Sequence, residues 1–160
     1  MATEKLKFKI ELYATMWNKP PHAEILVGDK SFYKGDIAGT LDKPNLIEFE
    51  AELEGEKESS LMIKRTNKGK NQTVVNEKGD ILKDQLLHIK SIEIDEIDLG
   101  GLIYNGTYTP TYPEPWATQQ KEAGVELEES FNNVTKMGHD GEWRFTFTSP
   151  FYVWLLENLY

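Results

Sequence analysis

Cysteine is absent from this 160-residue chain, which removes disulfides, thiolate metal sites and thiol nucleophiles together. Long hydrophobic runs are missing as well. No segment is apolar for long enough to cross a bilayer as a helix. The opening MATEKLKFKIELYATMW alternates charge with apolar side chains where a secretion signal needs an unbroken apolar stretch. Asn71, Asn105 and Asn133 each begin an N-x-Ser/Thr triplet, and without an export signal these read as chance matches. Positive charge is in deficit: 18 Lys and Arg stand against 27 Asp and Glu, and the net charge of −9 repels phosphate backbones and argues against a nucleic-acid partner. The one basic cluster, Lys64, Arg65, Lys68 and Lys70 around TNKGKNQ, reads as a solvated hairpin tip. Neither GxGxxG nor GxxxxGKS/T occurs, so nucleotide chemistry has no phosphate cradle.

What the chain does have is alternation with period two. Leu6, Phe8, Ile10 and Leu12 alternate with Lys5, Lys7, Lys9 and Glu11, the pattern of a half-buried antiparallel strand. Ile47, Phe49, Ala51 and Leu53 repeat it against Glu48, Glu50, Glu52 and Glu54, whose charges guard against unwanted edge pairing. HAEILVG and SFYKGDI flank Gly28-Asp29 as a hairpin, and Gly39 to Asn45 is a further turn region. In ILKDQLLHIKSIEIDEIDL the apolar parity shifts after Ile89 and again after Ile94, and each shift predicts a bulge or bend. Gly100-Gly101 permits a sharp turn, and Glu142 to Thr148 is the last clear strand, with Trp143, Phe145 and Phe147 on one face. Helix is scarce. Ala117 to Phe131 has room for a short one, and SPFYVWLLENLY predicts a C-terminal helix with Ser149 as cap and Pro150 in the first turn. Eight or more short strands with no linker or repeat predict one domain over residues 1–160. Its expected fold is all-β, an antiparallel two-sheet sandwich of jelly-roll type with a short C-terminal helix.

Catalytic machinery is hard to assemble from these residues. His22, His88 and His139 lie in different contexts, and none sits in a nucleophile motif. His88 reads as a sheet-face or core histidine, and His139, in MGHDGEW, as part of a tight polar hairpin turn. Carboxylates are abundant at Glu93, Asp95, Glu96 and Asp98 and again at Glu122, Glu126, Glu128 and Glu129. Abundance of that kind marks a solvated surface before a hydrolytic pair. Asp80, Asp84, Asp95 and Asp98 are candidate oxygen ligands for calcium, although their spacing is not that of an EF-hand.

The most distinctive feature is aromatic. Tyr104, Tyr108, Tyr112 and Trp116 recur at every fourth position, while Pro110, Pro113 and Pro115 forbid a continuous helix. In extended chain this even spacing points the four side chains the same way. The segment then lines a binding surface, docks on a partner, or packs as an ordered loop over one end of the sandwich.

DQLLHIKSIEIDEI, together with PPHAEILVGDKSFY, resembles the strand patterns of calcium-dependent xylan-binding modules. That resemblance implies a non-catalytic β-sandwich that grips sugar hydroxyls through calcium, with Asp84 at the position of the acidic ligand. HIKSIEIDEIDLGGLIYNGTYTPTYPEPWATQQ and GHDGEWRFTFTSPFYVWLLENL resemble structural proteins of T4-like tailed phages, including those of cyanobacteria. The second resemblance implies a virion component, such as a decoration, baseplate or fibre-associated protein, assembled in the host cytoplasm. Its expected partners are other virion proteins or further copies of itself. The virion role is the first expectation and a calcium-dependent carbohydrate-binding module the alternative, and on either the chain is expected to be no enzyme. The aromatic spacing itself makes Tyr104, Tyr108, Tyr112 and Trp116 the expected binding or interface residues.

Overall fold

A computed structural model describes residues 3–15, 20–55, 57–66, 74–75, 81–83, 86–112, 116–137 and 139–158. The strands in chain order begin with β1 (Thr3–Thr15), β2 (His22–Val27), β3 (Lys30–Asp36), β4 (Asn45–Glu54), β5 (Glu58–Thr66), β6 (Val74–Val75) and β7 (Ile81–Lys83). They continue with β8 (Leu86–Ile94), β9 (Ile97–Asp98), β10 (Thr107–Pro110), β11 (Phe131–Asn132), β12 (Lys136–Met137) and β13 (Gly141–Thr148). Helices are short: a 3-10 helix at Gly100–Asn105, α1 (Trp116–Glu122) and α2 (Phe151–Asn158). One sheet has the order β12-β8-β1-β4, with β9 folded back on β8; the other runs β11-β10-β13-β5-β2-β3. Every pairing among the described residues is antiparallel, and β6 pairs with β7. This is the expected two-sheet sandwich of jelly-roll type with a short C-terminal helix.

The alternation in β1 sets the first sheet. Leu6, Phe8, Ile10 and Leu12 are at most 1% exposed, and beside them Ile47, Ala51 and Leu53 of β4 turn the same way. On the outer face Lys5, Lys7 and Lys9 stand opposite Glu52, Glu50 and Glu48, and Lys5 Nζ also reaches Glu50 Oε2 diagonally at 3.3 Å. A one-residue slip would expose the apolar row, so burial and charge specify one register together. The predicted parity break in β8 is a bulge. Glu11 pairs with Ser91 and Leu12 with Ile89, which leaves Lys90 as the extra residue and keeps Leu87, Ile89, Ile92 and Ile94 all facing inward. The second break is the two-residue turn Asp95-Glu96, with φ of 52° and 67°. Asp95 anchors it, its amide donating to Lys7 O and its Oδ1 accepting from Lys7 N, both at 2.8 Å.

In the second sheet Trp143, Phe145 and Phe147 of β13 are at most 1% exposed, and Phe147 meets Phe8 of the first sheet at 6.5 Å. A bulge in β3 at Phe32 lies between the pairs Ile25–Tyr33 and Leu26–Ser31. The Phe32 ring stacks on Phe49 at 4.7 Å, and Phe49 on Phe8 at 5.0 Å. That three-ring stack joins edge strands β3 and β4, one from each sheet.

Two local expectations are corrected. Arg65 is no solvated tip: it is fully buried, because β5 is a central strand and Leu61, Ile63 and Arg65 share its inward parity. Its Nη1 donates to Met137 O at 2.5 Å, giving the buried guanidinium a partner in the opposite sheet. Lys64 faces outward between Glu142 and Glu24, and Lys68 and Lys70 lie outside the described residues. Ser149 does not cap α2. Its hydroxyl and the Phe151 amide both donate to Glu4 Oε1, at 2.7 and 2.9 Å. A carboxylate supplied by β1 suits a helix N-terminus better than a hydroxyl does, since it brings a full negative charge to the exposed amides.

Gly106 is packed tightly: an added Cβ would fall 2.3–2.5 Å from the buried Trp143 ring. Gly106→Ala is expected to lower stability by about 1–3 kcal/mol through overpacking. Gly101→Ala, whose added Cβ would meet nothing within 4 Å, is expected to stay within about 0.5 kcal/mol of wild type. Urea titration of both variants checks the difference.

Candidate functional site

At the end of the sandwich where β13 begins, three chain segments converge. β10 carries Tyr108 inward and ends at Pro110, after which the Thr111 amide donates to Asp140 O at 2.6 Å. α1 begins at Trp116 and stops at a Schellman-type turn, in which Val125 N donates to Gln120 O, Gly124 N to Lys121 O, and Gly124 takes φ of 84°. The acidic run that follows α1 is therefore irregular chain up to β11, and the expected helix within 117–131 ends at Glu122. From the other side, β12 belongs to the first sheet and β13 to the second, so His139 and Asp140 cross between sheets. The expected hairpin turn at His139 is corrected accordingly: its flanking strands do not pair with each other.

The four aromatics do not share a direction, because the chain is not extended throughout. Tyr104 sits on the 3-10 helix and is 46% exposed. Tyr108 lies in β10 and is buried, Tyr112 is half-buried in the following loop, and Trp116 opens α1 at 37% exposure. What the fold brings together is Tyr112, Trp116 and His139. Ring centroids are 5.9 Å apart for Tyr112–Trp116, 5.1 Å for Tyr112–His139 and 5.5 Å for Trp116–His139. The Tyr112 hydroxyl donates to Glu128 O at 2.6 Å, which fixes its ring. Beneath the cluster, the Tyr108 hydroxyl donates to His139 O at 2.6 Å and accepts from His139 N at 3.0 Å. Tyr108 thus positions the His139 backbone, while Tyr112, Trp116 and His139 form the accessible surface. The polar segment GHDG flagged His139 in the sequence, but nothing local showed that it meets Tyr112 and Trp116.

Burial pushes the Tyr108 phenol up to about 12, with the His139 backbone bond and the Arg65 charge opposing the shift and Tyr112 and Asp140 adding to it. Tyr112 is raised by burial and then by Glu128, so both phenols stay protonated donors at neutral pH. The other histidines stand elsewhere. His88 stacks on Tyr13 at 4.4 Å on the outer face of the first sheet, with Nε2 2.9 Å from Thr15 Oγ1. Burial lowers its pKa, helped by Lys136 and then Arg65. His22 Nδ1 lies 3.2 Å from Asp36 Oδ1.

Calcium has poor ligands among the described residues. No group of three or more His, Asp or Glu there is arranged to hold a metal ion. Asp95 is occupied by the Lys7 amide and by the Tyr152 hydroxyl, and Asp98 Oδ1 accepts from Gly100 N at 2.9 Å, so both carboxylates brace turns. Asp80 and Asp84 lie outside the described residues.

No protein-family model matches the chain, and no curated protein matches its sequence. Solved structures do share its fold. One is vCBM60 in complex with galactobiose, at 8% identity and a TM-score of 0.50 over 87% of this chain and 96% of that one. Another is the selenomethionine form of vCBM60, described with circular permutation as a link between two families of calcium-dependent carbohydrate binding modules. It aligns over 88% of this chain and 89% of its own, with a TM-score of 0.51 and 8% identity. The chain therefore has the β-sandwich fold of these modules. Neither neighbour is described as a virion protein.

The raised Tyr108 pKa couples stability to alkaline pH. Its folded value of about 12 exceeds the unfolded value of 10.0, so the stability it contributes is intact below pH 10 and is lost as pH rises through about 12. The loss amounts to about 2–3 kcal/mol. Denaturant midpoints measured from pH 9 to 12 should fall more steeply for wild type than for Tyr108→Phe.

Proposed function

We propose that this protein is a non-catalytic glycan-binding module whose contact surface is the Tyr112–Trp116–His139 face. The observation that carries the proposal is the exposed Trp116 ring held beside Tyr112 and His139. Sugar rings present flat C–H faces that pack on aromatic faces, and hydroxyl edges that seek oxygen or nitrogen partners. Such a surface binds well only if it is ordered beforehand, since each mobile side chain frozen on binding costs about 0.5–1.5 kcal/mol. Here the Tyr112 phenol is tied to Glu128 O, and His139 is held by Tyr108. Asp140 follows His139 in the chain and its charge acts on the Tyr108 phenol, while Glu128 acts on the Tyr112 phenol, so two carboxylates stand near the aromatic face. The structural neighbours support the class, since one holds galactobiose. A virion setting, expected from the sequence resemblance to T4-like phage proteins, would bring such a module to bacterial surface polysaccharide.

Glycan-array screening followed by calorimetry tests the reading. Trp116→Ala and Tyr112→Ala should each weaken binding about tenfold or more, roughly 1.4 kcal/mol, with the melting temperature nearly unchanged for the exposed Trp116. Binding through this face should survive a chelator. Loss of binding on chelation would move the site to calcium ligands outside the described residues, and silence toward all glycans with and without calcium would end the proposal.

A further inference from the structure

At the opposite end of the sandwich, α2 is apolar on both of its faces. Phe151 and Leu155 are buried and Trp154 packs on Phe145 and Phe147, whereas Tyr152, Val153 and Leu156 are 46%, 51% and 63% exposed. At about 100° per residue the three exposed side chains fall within an arc of roughly 100°, diametrically opposite the buried three. A helix at a protein surface ordinarily presents polar residues on that side, and one that is apolar all round is normally covered on both. Single exposed apolar residues are unremarkable, but three adjoining ones on one helix face form a contact patch.

The surroundings of the patch are acidic. Asp95 Oδ2 accepts from the Tyr152 hydroxyl at 3.4 Å, and the carboxylates of Glu4 and Glu96 act on the same phenol. Glu157 follows on the helix itself. Of the nearby cations, Lys7, whose backbone bonds Asp95, stands among Glu50, Glu93 and Glu96, and Lys57, whose carbonyl accepts the Ser149 amide, has its ammonium paired with Glu54 at 2.5 Å. An apolar centre with a negative rim selects its complement. We infer that α2 is a docking helix for a partner protein that seats apolar side chains on Tyr152, Val153 and Leu156 and surrounds them with Lys and Arg. A second copy would set rim against like-charged rim on a molecule that already carries −9. An anionic bilayer would repel the same rim.

β13 separates this face from the glycan-binding face, running from Gly141 beside His139 to Thr148 beside α2, roughly 25 Å for eight residues of strand. Both faces can therefore be engaged at once, which would let the module tether a sugar surface to a protein. The docking proposal does not depend on the glycan reading.

The test uses the full chain and two synthetic amphipathic helical peptides with identical leucine faces, one with lysine and one with glutamate on the polar face. Fluorescence anisotropy should show the lysine peptide binding and the glutamate peptide not. Val153→Gln with Leu156→Gln in one variant should weaken the lysine peptide about tenfold or more at an unchanged melting temperature, because neither side chain is in the core. Trp116→Ala should leave peptide binding intact even where it abolishes glycan binding, so the two readings fail separately. Peptide binding that ignores the double substitution would reduce the effect to general charge attraction and overturn the inference. Equal binding of both peptides would overturn it too, as would a wild-type dimer in sedimentation that the double substitution dissolves, since the occupant would then be a second copy.

Discussion

The two sheets are held by one apolar layer: Leu6, Phe8, Ile10 and Leu12 of β1 facing inward on one side, and Trp143, Phe145 and Phe147 of β13 on the other. Burying a side chain of this kind is worth about 1.5–3 kcal/mol, whereas an outer-face Lys–Glu pair contributes roughly 0.2–1 kcal/mol. The layer therefore carries the stability, and the charges on the outer face of the first sheet, Lys5, Lys7 and Lys9 against Glu52, Glu50 and Glu48, refine the register. Even the bulges serve the layer. Lys90 as an extra residue keeps Ile89 and Ile92 facing the same way, and Phe32 as an extra residue reaches Phe49 across the edge of the sandwich.

Each end of the sandwich is then tied by polar groups that reach across the structure. At one end Tyr108 holds the His139 backbone, and Arg65 reaches from β5 in the second sheet to Met137 O in the first. At the other, Glu4 from β1 gathers the Ser149 hydroxyl and the first amide of α2. A buried charge such as Arg65 is costly to strand without a partner, so this tie favours one arrangement of the sheets over alternatives more than it adds net stability. These ties fix the His139 backbone beside the aromatic face and the start of α2 at the other end.

Much of the framework is legible from residue order. The strands over Leu6–Leu12, Ile47–Leu53 and Trp143–Phe147, the Gly28-Asp29 hairpin and the bulge after Ile89 all follow from period-two burial and turn chemistry. Arg65 looks solvated because its neighbours in sequence are basic, although its parity with Leu61 and Ile63 marks it as inward-facing. Ser149 looks like a cap for a different reason: its competitor for the α2 amides, Glu4, lies 145 residues away. The aromatic segment is visible as a feature, but its even spacing misleads, since it passes from 3-10 helix to strand to loop to α-helix.

Residue order by itself determined the sandwich and its inner and outer faces, because side chains alternate across a strand and burial acts on each of them locally. It also set four aromatic residues along one proline-rich stretch. Only the tertiary structure decided which of them meet: Tyr108 beneath, Tyr112 and Trp116 above, with His139 brought in from a crossing between the sheets. Those contacts join segments with no local pattern in common, and their geometry is set by how the two sheets pack, which no short window of sequence encodes.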